Sequence, residues 1–143
     1  MFLVILMSVL VVDVLWQVAS RYILTSPSSF TDELAGFLLI WVGVLGAAYV
    51  AGRKEHLAID ILIQRSPPAR QRILQYLIHS LIFLFALSVM VIGGVILMYT
   101  RFALGVKSAA LQLPLGYVYI VLPISGFIIM FYEMLHIINL KRG

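Results

Sequence analysis

The sequence predicts an all-α integral membrane protein, a four-transmembrane-helix bundle with a short amphipathic interfacial helix between spans two and three. Three observations lead there. Four apolar stretches, at 2–24, 33–52, 73–100 and 114–136, occupy most of the 143 residues, and about 20 mostly apolar residues suffice to cross a hydrocarbon core of about 30 Å. The chain is 63% hydrophobic and 11% charged, whereas soluble domains carry about 25% charged residues. The apolar runs are continuous rather than alternating, and backbone groups in lipid must be bonded within their own segment or a closed barrel, so helices are expected. A single membrane domain over 1–143 follows.

Span one lacks a basic leader, exceeds a signal-peptide core in length, and is interrupted by Asp13, Gln17 and Arg21. It is expected to be a permanent helix. Those three residues sit at i, i+4 and i+8 and form one polar stripe. Asp13 lies near mid-bilayer, where a bare carboxylate costs at least a few kcal/mol. Either it handles a proton or cation, or it is a buried anchor bonded to Gln17 or to a group on another helix or subunit. One carboxylate without a cluster of partners favours the anchor.

Span two opens with Ser28, Ser29 and Thr31, followed by Asp32 and Glu33. Hydroxyls satisfy free amides at a helix start, and acids there suit the helix dipole. Glu33 can face Arg21 across the short first loop and clip the hairpin; the other reading is that both are ordinary interfacial charges. Further along, Gly36, Gly43, Ala47 and Ala51 share a face, widened by Gly46 and Ala48. Small residues at this spacing let backbones approach, which drives helix association in lipid. Trp41 either fills space on another side or sits in lipid.

In the second loop, His56, Asp60 and Gln64 recur every four residues while Leu57, Ala58, Ile61 and Leu62 gather elsewhere on the wheel. That pattern predicts an interfacial helix over 55–65, with His56, Asp60 and Arg65 at the membrane surface; a partly buried loop helix is the other reading. Pro67 and Pro68 end it. Span three, at 28 residues, is about 42 Å long and must tilt or project. It carries His79 one to two turns inside the membrane, read as a satisfied interior histidine ahead of a proton relay. Its Gly93-Gly94 pair permits close contact or bending. Span four opens at Pro114 and contains Pro123, expected to kink it.

Glu133 and His136 make one Glu-x-x-His pair. Di-iron bundles need two such pairs and two more glutamates, so no metal site is expected, and no cofactor. Hydrolase, phosphate-loop and zinc-protease signatures are missing, so catalysis has no support. The formal charge of +4 resides in short loops, with no surface suited to nucleic acid. Cysteine is absent. Placing both termini inside puts seven basic residues on the inner side and three on the outer, which predicts cytoplasmic termini. No duplicated halves with broken helices occur, as a chain carrying a substrate pathway alone would show.

The run Arg21-Tyr22, Phe30-Thr31-Asp32-Glu33-Leu34, Trp41-Val42-Gly43-Val44-Leu45-Gly46-Ala47-Ala48 and His56-Leu57-Ala58-Ile59-Asp60 resembles the small membrane subunit of tripartite ATP-independent periplasmic (TRAP) transporters, the DctQ family. Leu113-Pro114-Leu115-Gly116-Tyr117 with Pro123 is similar to the start of that family's last helix. Phe30 departs from the family, which usually has tryptophan there. The resemblance implies a multi-pass protein of the bacterial inner membrane. Its partners would be a large multi-helix membrane subunit holding the sodium and substrate sites, a periplasmic substrate-binding protein and membrane lipids. The small subunit would brace the scaffold of the large one during uptake of an acidic solute, of sialic acid or C4-dicarboxylate type. On that reading Asp13, Gln17, Arg21, Glu33, Gly36, Trp41, Gly43, Gly46, Ala47 and Ala51 are candidate partner contacts. The alternative is a small multidrug-resistance-type proton antiporter using Asp13.

Overall fold

The computed structural model describes residues 1–23, 28–53 and 67–142. In chain order its elements are α1 (Phe2–Tyr22), α2 (Ser29–Arg53), α3 (Pro68–Phe85), a π-helical stretch (Ala86–Gly93), α4 (Gly94–Ala103), α5 (Leu115–Tyr119) and α6 (Val121–Arg142). No strand occurs among the described residues, beyond an isolated bridge between Lys107 and Pro114. Four helical runs are long and apolar enough to cross a membrane: Phe2–Tyr22, Ser29–Arg53, Arg70–Ala103 and Leu115–Leu140. The all-α, four-span expectation holds. The interfacial helix expected at 55–65, with His56, Asp60 and Arg65, lies outside the described residues.

The spans differ in extent from expectation. The third runs for 34 residues, about 50 Å at 1.5 Å per residue, so the need to tilt or project is greater than the sequence suggested. Ahead of Pro123, the helical run is interrupted at Ile120, between α5 and α6. A proline lacks the N–H that would bond the carbonyl four residues back, and its ring crowds that carbonyl, so the damage falls about one turn earlier.

The chain divides into two compact units, Met1–Gly46 with Ile96–Val121, and Ala47–Val95 with Leu122–Gly143. In the first, α1 inverts the pattern of a water-soluble helix. Its buried residues are the polar Asp13 and Ser20, while Val4, Val12, Leu15 and Trp16 are exposed. Lipid or another protein is the natural cover for such a surface. Ser28 starts α2: its carbonyl accepts from the Asp32 N–H at 3.3 Å and from the Thr31 hydroxyl at 3.0 Å. The segment after α4 is tightly turned. Gly105 adopts φ +59° and Gln112 φ 54°, the Ser108 N–H donates to the Leu113 carbonyl and the Leu115 N–H to the Val106 carbonyl, both at 2.9 Å. Glycine suits the left-handed position at Gly105, whereas Gln112 adopts it at a cost.

In the second unit, Ala48, Ala51, Ala86 and Ile129 form the buried apolar cluster, flanked by Ile82, Met90 and Met130. Small side chains and glycines let these helices close on one another. A Cβ on Gly126 would lie 2.9 Å from both Met90 Cβ and Val91 Cγ2, and one on Gly94 would lie 2.9 Å from Leu122 Cβ. Of the Gly93-Gly94 pair, Gly94 makes the close contact and Gly126 supplies its counterpart on α6. Within the π-helical stretch the Ser88 hydroxyl donates to the Leu84 carbonyl at 2.7 Å. It thereby competes for the acceptor that the next α-helical turn would use.

Candidate functional site

The polar side chains of the first unit gather where α1 and α2 meet. Gln17 Nε2 donates to Asp32 Oδ1 at 2.5 Å, and Ser20 Oγ donates to the Gln17 carbonyl at 2.9 Å. Glu33 does not pair with Arg21. Its two carboxylate oxygens accept one backbone N–H each, from Ala110 and from Leu111, both at 3.0 Å. The reason is geometric. The tight turn through Ser108–Leu113 presents successive amides as a small anion-binding concavity, and a carboxylate beside it is held by two charge-assisted bonds. Arg21 is instead exposed and borders a cleft of about 360 Å³ with Gln17, Ser28, Ser29 and Asp32. Nothing in the linear sequence distinguished the Ala110 and Leu111 amides, because backbone groups carry no residue signature.

Asp13 is 8% exposed and its Oδ2 has no hydrogen-bond partner among the described residues. The anchor expected from Gln17 is spent elsewhere, since the Gln17 amide donates to Asp32. Asp13 instead borders an apolar groove of about 480 Å³ with Ser8, Val9, Val12, Trp16 and Leu34. A buried oxygen without a donor is costly in an apolar setting, and an incoming hydrogen-bond donor at this groove would relieve it.

The small-residue stripe splits. Gly36, Gly43 and Ala47 are exposed, and a Cβ added at Gly36, Gly43 or Gly46 would meet nothing within 4 Å. Ala51, by contrast, is 2% exposed and packs within the chain. That removes it from the face available to another protein: each four-residue step rotates about 40° past a full turn, enough to carry the stripe from outside to inside. Trp41 also gains an internal role. Its Nε1–H donates to the Val118 carbonyl at 3.1 Å, so the indole holds the short α5 rather than sitting free in lipid.

In the second unit, His79 on α3 meets Glu133 and His136 on α6. His79 Nδ1 and Glu133 Oε2 are 2.5 Å apart, and the two imidazole rings pack edge-on at 5.3 Å. Glu133 is fully buried and His136 nearly so. His79 is therefore a satisfied interior histidine, as expected, but the sequence alone did not show that the Glu-x-x-His pair supplies its partner.

Four helices long and apolar enough to cross a membrane, with polar residues among the buried ones and large apolar residues exposed, define a multi-pass helical membrane protein. The family model for the DctQ component of tripartite ATP-independent periplasmic transporters matches residues 10–143. The chain belongs to this family, whose members are transporter components rather than enzymes. Among similar proteins, a sialic acid TRAP transporter small permease protein of Vibrio cholerae is 25% identical over 148 residues, covering 96% of this chain and 78% of that protein. A TRAP transporter small permease protein of Haemophilus influenzae is 35% identical over 72 residues, half of this chain and 43% of the relative. An isethionate TRAP transporter permease protein of Oleidesulfovibrio alaskensis, DctMQ, is 29% identical over 96 residues, 67% of this chain but 15% of that protein. The matched segments thus span less than half the length of these last two relatives.

Proposed function

We propose that this chain is the small permease subunit that braces the large membrane subunit of a sodium-coupled TRAP transporter. The sodium and solute sites belong to the large subunit, and this chain holds no cofactor for transport. The observation that carries the reading is the pair of uncovered surfaces in the first unit. An apolar groove is lined in part by Asp13, whose Oδ2 is unsatisfied, and elsewhere on α2 an open glycine stripe offers backbone-close packing. Both are what a helix of another protein would cover. Relatives in which a segment like this one is a small fraction of a much longer permease support a large membrane protein as that cover.

The solute is an acidic organic molecule, since relatives are named for sialic acid and isethionate; a sialic acid or C4-dicarboxylate type fits. The protein lies in the bacterial inner membrane with cytoplasmic termini, as its basic loops favour. That orientation puts Arg21 and the turn clasped by Glu33 on the periplasmic side, where a substrate-binding protein docks. Since Glu33 is engaged internally, the exposed Arg21 is the stronger docking contact. Family membership speaks against the antiporter alternative left open by Asp13.

The test is co-purification with the large subunit and solute uptake by the intact complex. Gly43→Leu adds bulk where the isolated chain has open space, so it should fold normally yet lose the large subunit and uptake. Asp13→Leu should weaken the same association. Retention of both partner and uptake in these two variants would refute docking at these surfaces, and solute-coupled proton movement by the reconstituted chain alone would restore the antiporter.

A further inference from the structure

The His79–Glu133–His136 cluster contains more polar capacity than the contacts between its members use. One ligand atom from each residue can be chosen so that all lie within 4.8 Å of one another. The residues are 16%, 0% and 6% exposed. Glu133 Oε2 is bonded to His79, but Glu133 Oε1 is buried with no partner among the described residues. A proton shared between His79 and Glu133 satisfies one carboxylate oxygen and leaves the other bare in an apolar span, an arrangement that costs free energy.

We propose that His79, Glu133 and His136 form a three-ligand site for a divalent transition-metal ion of the zinc class, which ties α3 to α6. The donor set is two imidazoles and one carboxylate, the borderline N/O combination that zinc accepts with a fourth position left for water. Cysteine is absent from the chain, so a thiolate site is excluded. The i, i+3 spacing of Glu133 and His136 puts both on one face of α6, and His79 comes from the opposing helix. Ligands of one ion at about 2.0–2.1 Å in tetrahedral geometry stand about 3.3 Å apart. The 2.5 Å separation of His79 Nδ1 and Glu133 Oε2 must therefore open by a little under 1 Å as the metal replaces the shared proton. The ion's charge would offset the buried carboxylate, and the water in the fourth position would supply a donor for Oε1. The sequence spoke against a metal because only one Glu-x-x-His pair is present. The fold brings in the missing third ligand from 54 residues away.

The test uses the full chain in detergent, freed of metal with a chelator and titrated with Co²⁺, then with Zn²⁺. One equivalent of Co²⁺ per chain should bind, with the visible absorption of a low-symmetry site. Zn²⁺ should displace it and raise the Tm, and affinity should fall as the pH is lowered because protons compete for the ligands. Glu133→Gln and His79→Ala should each weaken binding by about a hundredfold or more, on the scale of lost metal-site contacts. His56→Ala, which removes the chain's one other histidine, should leave binding unchanged. Helical content by circular dichroism checks that the variants fold. Failure of the wild-type chain to bind Co²⁺ and Zn²⁺ at one equivalent would overturn the proposal, as would binding that survives both Glu133→Gln and His79→Ala.

Discussion

Gly126→Ala tests the central packing claim most directly. A Cβ at this position would stand 2.9 Å from Met90 Cβ, 2.9 Å from Val91 Cγ2 and 3.2 Å from the Val91 nitrogen. Carbon pairs rest at about 3.5–4.0 Å, so the facing segment must retreat by roughly 0.6–1 Å. Overpacking of this kind costs about 1–3 kcal/mol. Alanine also gains about 1 kcal/mol over glycine in helix propensity, which would blur a single measurement. Gly43→Ala supplies the reference, because it makes the same propensity gain in open space. The difference between the two variants isolates the crowding and should be about 1–3 kcal/mol, a roughly 5- to 150-fold difference in folded-to-unfolded ratio. Unfolding by dodecyl sulfate in mixed micelles, followed by circular dichroism, reads it for the isolated chain. If the two variants unfold within about 0.5 kcal/mol of each other, which is the scale of ordinary surface changes, then α6 does not pack as closely on the π-helical stretch as described.

Three further outcomes follow from single contacts. Trp41→Phe removes the donor to the Val118 carbonyl and should lower stability by about 0.5–1.5 kcal/mol, measured in the same micelle assay. Glu33→Ala should speed deuterium exchange of the Ala110 and Leu111 amides without altering exchange in α6, because those two amides lose their acceptor; unchanged exchange would count against the clasp. Gly105→Ala forces a side chain into φ +59° and should cost about 1–2 kcal/mol, while Gln112→Gly relieves the same strain and should be neutral or stabilising in thermal unfolding.

The linear chain already specified the solvent and the spans. Continuous apolar runs, few charges and no alternation leave little besides membrane helices, because lipid offers the backbone no hydrogen bonds. It also disclosed, through Asp32-Glu33 and the Trp41-to-Ala48 run, the family to which the chain belongs. What it left undecided was the choice among partners. Arg21 and Glu33 carry opposite charges at opposite ends of a short loop, so the sequence suggested a pair. The structure instead gives Glu33 to two backbone amides that have no signature in any alphabet of side chains. Gln17 could have reached Asp13 four residues back along its own helix, but it turned to Asp32. His79 and Glu133 are 54 residues apart, and helical periodicity within one span says nothing about which face of another it meets. Local order is written residue by residue in spacing and polarity. Which helix faces close on one another, and so which polar groups share a site, depends on contacts between distant segments, and those exist only once the chain has packed.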